Sequence, residues 1–122
     1  MLKQIIVENY VANSLTLDEY QLLAARTATY GAGTEIIYPT LGLANEAGEV
    51  AGKVKKVLRD NDGFFTHEYI LAIKKELGDT LWYLAMTAKD LNLSLGEIAQ
   101  ENLNKLADRA ERGVIGGDGD NR

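Results

Sequence analysis

Apolar residues recur at helical spacing along most of the chain, and four stretches carry that period between recognisable start and stop signals. The first opens at Thr16-Leu17-Asp18-Glu19, where the threonine hydroxyl and the glutamate three residues on supply the two halves of a capping box, and runs to about Gly31. The second begins near Thr40 and carries Leu43, Ala47, Val50, Val54, Val57 and Leu58 on one stripe before the turn cluster Arg59-Asp60-Asn61-Asp62-Gly63. The third starts at Thr66 or His67 and reaches about Leu91, with Ile70, Ile73, Leu77, Leu81, Leu84 and Ala88 in line. Ser94 and Glu97 make a second capping box, Leu93 and Ile98 a hydrophobic staple around it, and Gly113 takes the C′ position that ends the fourth. No alternating run is long enough for a sheet, so the pattern predicts an all-α bundle of four main helices. Residues 1–15 read as an N-terminal extension whose Ile5-Ile6-Val7 triplet fits a short strand or a further helix start. The glycine-rich residues 114–122 read as a flexible tail unless something holds them.

Composition narrows the picture. A length of 122 residues fits one domain with a modest core, 1–122. There is no cysteine, which removes disulfides, thiolate nucleophiles and zinc–thiolate sites. No run approaches the ~18 apolar residues that span a bilayer, so a cytoplasmic protein without membrane contact is the default expectation. A net charge of −5 argues against a nucleic-acid polymer as partner, because polymer binding relies on many Lys and Arg contacts to phosphate. An acidic protein that handles a phosphate compound needs cations in between.

The candidate chemistry lies in two carboxylate pairs. With Ala47 at zero and about 100° per residue, Glu46 and Glu49 fall at about 260° and 200°, on the flank of the apolar stripe. With Leu77 at zero, Glu76 and Asp79 fall at the same two angles, about 260° and 200°. Two helices packed through their stripes as an antiparallel hairpin would bring four carboxylates to the edge of a shared groove. Oxygen ligands without histidine or thiol suit Mg²⁺ or Mn²⁺, and Mg²⁺ held by carboxylates commonly completes its shell with substrate phosphates. The plainer alternative is solvated charge: Glu49 with Lys53 and Lys75 with Asp79 are i,i+4 pairs that stabilise a surface helix by ~0.3 kcal/mol each.

Other residues group around these pairs. Lys53 at about 240° lies on the Glu46/Glu49 face, with Lys56 near it, where a cation would steady a leaving pyrophosphate. Asn102, Lys105 and Arg109 follow i, i+3, i+7 on the last helix, one polar line that suits phosphate or sugar contacts and equally suits a solvated face. Tyr83 at about 240° shares the Glu76/Asp79 flank, whereas Trp82 at about 140° faces away, toward core or a subunit interface. Pro39 fixes the approach to the second helix, and the lone His67 has no partner in sequence.

Glu-Ala-Gly-Glu at 46–49, Glu-Leu-Gly-Asp at 76–79, Asn-Leu-Asn-Lys-Leu-Ala-Asp-Arg at 102–109 and the closing Gly-Val-Ile-Gly-Gly-Asp-Gly-Asp-Asn-Arg together resemble the MazG-type nucleotide pyrophosphohydrolases of the all-α NTP pyrophosphatase superfamily. The resemblance extends over nearly all of residues 16–122. It implies a helical homodimer or homotetramer that uses Mg²⁺ to hydrolyse nucleoside triphosphates, dNTPs in particular, to a monophosphate and pyrophosphate. It implies Glu46, Glu49, Glu76 and Asp79 as metal ligands and favours Asn102 and Lys105 as substrate contacts; from the chemistry of water attack, a ligand glutamate, Glu46 or Glu49, is the candidate base. It also sets the Tyr38-Pro39-Thr40 loop near the base pocket. Asn121 and Arg122 in the tail either close over the site or belong to a disordered terminus. Many members carry a doubled glutamate where this chain has Asn45-Glu46. Phosphoribosyl-ATP pyrophosphatase, with the same metal and chemistry, is the alternative within the superfamily; a noncatalytic helical module that binds a partner protein is the alternative outside it.

Overall fold

A computed structural model describes residues 14–122, so the Ile5-Ile6-Val7 triplet lies outside the described residues. Four α-helices follow one another, α1 Leu17–Ala24, α2 Ile37–Asn61, α3 His67–Asp90 and α4 Leu95–Glu111, with no strand among the described residues. The predicted all-α architecture of four main helices is the observed one.

The helix ends have identifiable chemical causes, and two of them lie where the periodicity did not put them. The capping box at α1 is complete: Glu19 N–H donates to Thr16 Oγ1 at 3.1 Å, and Thr16 N–H donates to Glu19 Oε2 at 3.0 Å. The helix stops at Ala24, short of Gly31, and tightens into a 3₁₀ turn over Ala25–Thr27. The Ala24 carbonyl accepts instead from the Thr27 hydroxyl at 3.0 Å and from Trp82 Nε1 at 3.2 Å, so tertiary donors replace the next turn. In α2 the helix begins at Ile37 rather than Thr40, and Pro39 sits inside its first turn, where a missing N–H costs nothing. The end of α2 matches the turn cluster: Asp62 and Gly63 take left-handed φ values of 53° and 78°.

The serine half of the α4 capping box is present, with Glu97 N–H donating to Ser94 Oγ at 3.0 Å. The other orphan amides are met from α1: Asp18 Oδ1 accepts from Gly96 N–H at 2.9 Å and from the Ser94 hydroxyl at 2.8 Å, and Gln21 Oε1 accepts from Leu95 N–H at 3.1 Å. A Cβ on residue 96 would lie 2.9 Å from Asp18 Oδ2, which is why glycine stands there. At the other end Gly113 adopts φ 72°, and Gly113 and Val114 donate to Ala110 and Arg109 carbonyls in a Schellman closure.

Small side chains let α1 approach α3, so that Ala24, Ala85, Met86 and Leu95 form the core cluster with Trp82 and Tyr30 against it. The main contact, α2 on α3, runs along one edge of each apolar stripe, sharing Val50, Val57 and Ile73 with them, rather than through the stripe centres. Its half-buried line passes through Gly42, Glu46, Val50, Lys53 and Val57 on α2 and Tyr69, Ile73, Glu76, Thr80 and Tyr83 on α3. That seam is rotated by about 80° from the stripe centres on both helices. Leu77 is left 53% exposed, Ile70 51% and Leu58 64%. The reason is competition: α3 must serve α1 on one side and α2 on the other, and its stripe centre falls between them. No helix among the described residues is long and apolar enough to cross a membrane.

Candidate metal centre

The rotation carries Glu46 and Glu76 from the groove edge into the α2–α3 seam. One carboxylate oxygen from each of Glu46, Glu76 and Asp79 lies within 4.8 Å of the others, with Glu46 and Glu76 half-buried and Asp79 exposed. Octahedral coordination at about 2.1 Å puts oxygens about 3.0 to 4.2 Å apart, so these three carboxylates would need to draw only slightly closer to hold an ion of Mg²⁺ size. Glu49 is exposed and stands outside the triad, yet near enough to act on Glu46 electrostatically. Burial raises the Glu46 pKa above the ordinary carboxylate value, and the Asp79, Glu76 and Glu49 charges push it further in the same direction. Mutual repulsion of this kind is what a divalent cation would relieve, and the hard oxygen donors fit Mg²⁺ or Mn²⁺. Lys53 Nζ stands 3.8 Å from Glu76 Oε1, bridging the two helices across the seam.

Beside the triad lies a cavity of about 540 Å³ whose walls are Thr27, Tyr30, Thr34, Tyr38, Trp82 and Tyr83. Tyr30 and Tyr38 stack with ring centroids 5.2 Å apart, and Trp82 meets Tyr83 edge-on at 5.1 Å. Trp82 is therefore an intramolecular wall, with Nε1 donating to Thr27 Oγ1 at 3.0 Å. Tyr83 joins cavity to triad. Burial raises its pKa, as do its hydrogen bond to Tyr38 and the charges of Glu46 and Asp79. Its ring lies so close to α2 that a Cβ on residue 42 would be 2.2 Å from Tyr83 Cε1, leaving room only for Gly42. A second hollow of about 530 Å³ lies by Asp18, Gln21 and Ser94; Asp18 Oδ1, Ser94 Oγ and Gln21 Oε1 are committed to capping α4, and Gln21 Nε2 donates to the Ala85 and Leu93 carbonyls.

The α4 row forms a separate group. Lys105 Nζ lies 2.8 Å and Arg109 Nη2 3.2 Å from Asp120 Oδ1, and Arg109 Nη2 also donates to the Asp120 carbonyl at 2.6 Å. Asn102 lines a cavity of about 340 Å³ with Lys105 and Asp120. The tail is held further by Arg122, whose guanidinium donates to the carbonyls of Ile115 and Gly116, each at 3.1 Å. Lys56 is exposed, and His67 is the first residue of α3, also exposed.

Sequence reasoning missed Tyr30, Asp90 and Asp120. Asp90 left a signal: a carboxylate in the last turn of a helix opposes the macrodipole and calls for a partner. Tyr30 and Asp120 left none, since both sit in irregular segments.

Comparison with known proteins bears on this geometry. The sequence pattern of the family described as MazG nucleotide pyrophosphohydrolase domain matches residues 39–114, which hold the triad, Lys53, Tyr83 and the α4 row. The chain is 50% identical over 112 residues to the Gene 37 protein of Mycobacterium phage L5, covering 87% of this chain and 98% of that protein. No solved structure matches it significantly. With the match running from the first turn of α2 to the end of α4, the unit that builds the carboxylate seam, the chain belongs to the MazG nucleotide pyrophosphohydrolase family.

Proposed function

We propose that the protein hydrolyses nucleoside triphosphates, dNTPs in particular, to a nucleoside monophosphate and pyrophosphate with Mg²⁺ as cofactor, Mn²⁺ being able to substitute. The observation that carries this reading is the convergence of Glu46, Glu76 and Asp79 within the segment that matches the family. Those three side chains, with Glu49 at the rim, would hold the metal, which supplies charge neutralisation and Lewis acidity when bound.

The remaining steps belong to this chain's own groups. Glu49, outside the triad and open to solvent, takes the proton of the attacking water. Attack on the α-phosphorus breaks its bond to the bridging oxygen, which leaves with pyrophosphate, and Lys53 offsets the charge that develops there. Tyr83 separates the phosphates from the base, which stacks in the aromatic cavity. Asn102, Lys105 and Arg109 contact substrate only where a phosphate replaces Asp120. The exposed Leu77, Ile70 and Leu58 are covered by self-association, as a homodimer or homotetramer in the cytoplasm.

Pyrophosphate release from a panel of (deoxy)nucleoside triphosphates, with and without Mg²⁺, tests the reading. Release should require Mg²⁺ and fall by ~10²-fold or more in Glu46→Gln and Glu76→Gln, the scale on which loss of an electrostatic catalytic group is felt. Full activity in both variants would move the site elsewhere. No release from any triphosphate would favour a noncatalytic module.

A further inference from the structure

We propose that Asp90 is a positioning residue for the aromatic cavity: a single buried carboxylate oxygen holds both Tyr30 and the start of α2, and so fixes the wall against which a nucleobase stacks. The inference rests on the reading of that cavity as the base site.

Asp90 is the last residue of α3, where the negative end of the helix disfavours a carboxylate, yet its side chain is only 3% exposed. Its bonds explain the placement. Oδ2 accepts from the Tyr30 hydroxyl at 2.7 Å and from Ile36 N–H at 2.9 Å, while Oδ1 faces Lys89 Nζ at 3.3 Å. Hydrogen bonds from Ile36, Tyr30 and Lys89 together hold its pKa below the ordinary carboxylate value, against the upward push of burial. Ile36 has φ 69° and ψ −54°, a positive-φ conformation that a β-branched residue adopts only when its surroundings impose it. No side chain of its own caps α2, so Asp90 caps it from across the fold.

Two residues after Ile36 comes Tyr38, the stacking partner of Tyr30, with the two planes 21° apart. The same oxygen therefore sets one ring through its hydroxyl and the other through the backbone. Tyr30 also meets Trp82 edge-on at 6.4 Å, so its position propagates to the third ring of the wall. Its hydroxyl hydrogen is spent on Asp90, so Tyr30 has no donor to offer a base and contributes to the wall through its ring.

The single tryptophan, Trp82, stands in the wall and reports binding without any need for turnover. Fluorescence titration with a nucleoside monophosphate, and with inorganic pyrophosphate as the base-free probe, separates base from phosphate binding. Asp90→Ala should weaken monophosphate binding by about tenfold or more and leave pyrophosphate binding within about twofold. Asp90→Asn should recover most of the loss, because its amide oxygen can accept from both Tyr30 and Ile36. Tyr30→Phe should fall between. In turnover the loss should appear in KM, with kcat nearly unchanged.

Wild-type base affinity in Asp90→Ala or Tyr30→Phe would overturn the proposal, as would equal loss of pyrophosphate binding or no recovery in Asp90→Asn. If Asp90→Ala does not fold, Tyr30→Phe decides. Intact hydrolysis with unaltered base affinity in the variants sinks the role of Asp90 alone. Base binding that responds as expected in a protein that hydrolyses nothing sinks the proposed reaction and leaves Asp90 in place.

Discussion

Two glycines of α2 provide a matched test of the packing at the site. At Gly42 a methyl group would lie 2.2, 2.3 and 2.6 Å from Tyr83 Cε1, Cδ1 and Cζ, whereas at Gly48 nothing lies within 4 Å. Carbon atoms rest about 3.5–4.0 Å apart, so Gly42→Ala forces the Tyr83 ring to move by more than about 1 Å. That ring is not a free end. It lies 5.1 Å from Trp82 and 6.3 Å from Tyr38, centroid to centroid, and each displaced aromatic pair forfeits up to about 0.5–1.5 kcal/mol. Overpacking of this kind costs about 1–3 kcal/mol, against a helix-propensity gain of about 0.8–1 kcal/mol for replacing a mid-helix glycine.

Gly42→Ala should therefore be destabilised by about 1–2 kcal/mol, and Gly48→Ala stabilised by about 0.5–1 kcal/mol from the propensity gain alone. With a urea slope of ~1–3 kcal/mol/M, the two midpoints separate by about 1 M. Urea unfolding followed by far-UV circular dichroism and Trp82 fluorescence measures both. Equal stabilities for the two variants would show that the Tyr83 ring does not press on α2, and the link from triad to cavity through that ring would fall with it.

Glu46→Gln removes a carboxyl whose folded pKa is raised, so wild type in chelator should be the less stable protein at neutral pH. For a raised acid the stability is present below the unfolded pKa and lost as pH rises through the folded one; the gap in thermal melting point should thus close on acidification, and a gap that widens would refute the repulsion. Asp18 behaves oppositely, since the Gly96 amide and the Ser94 hydroxyl lower its pKa. Asp18→Ala should lower the melting point at neutral pH, and the difference should vanish as pH falls through the depressed folded pKa; a constant difference would mean that the cap does not depend on the charge.

The helices were legible because their signals are local. Thr16 with Glu19, Ser94 and Gly113 act within a turn of their own positions, and the structure uses each as the spacing implies. Misplaced boundaries have distant causes: α1 ends where the Ala24 carbonyl accepts from Trp82, 58 residues away, and α2 begins where the Ile36 N–H donates to Asp90, 54 residues away. The flank shared by Glu46, Glu76 and Asp79 was visible in the repeated angular offset; that these three meet inside the seam and Glu49 stays outside was not, because packing through the stripe centres was expected. That Lys53 answers Glu76 across the seam rather than Glu49 along its own helix was not, because it depends on how far α2 and α3 rotate. Hydrophobicity counted on one helix at a time cannot supply that rotation when two neighbours compete for α3.

That rotation is also the strongest argument for function. A hairpin selected for stability alone would turn both helices back by about 80°, placing Leu77, Val54 and Leu58 in the seam and Glu46, Lys53 and Glu76 in water. The protein instead half-buries three mutually repelling or imperfectly paired ionic side chains and leaves Leu77 and Leu58 more than half exposed. Burying charge without complete pairing is destabilising, and so is presenting a row of leucines to water. Local rules broken in this way, at the same offset on both helices, are what a site held at the expense of stability would leave. A cation between the carboxylates and a second subunit over the leucines would remove both penalties at once, which makes the metal and the self-association in the proposed reaction two parts of one energetic requirement.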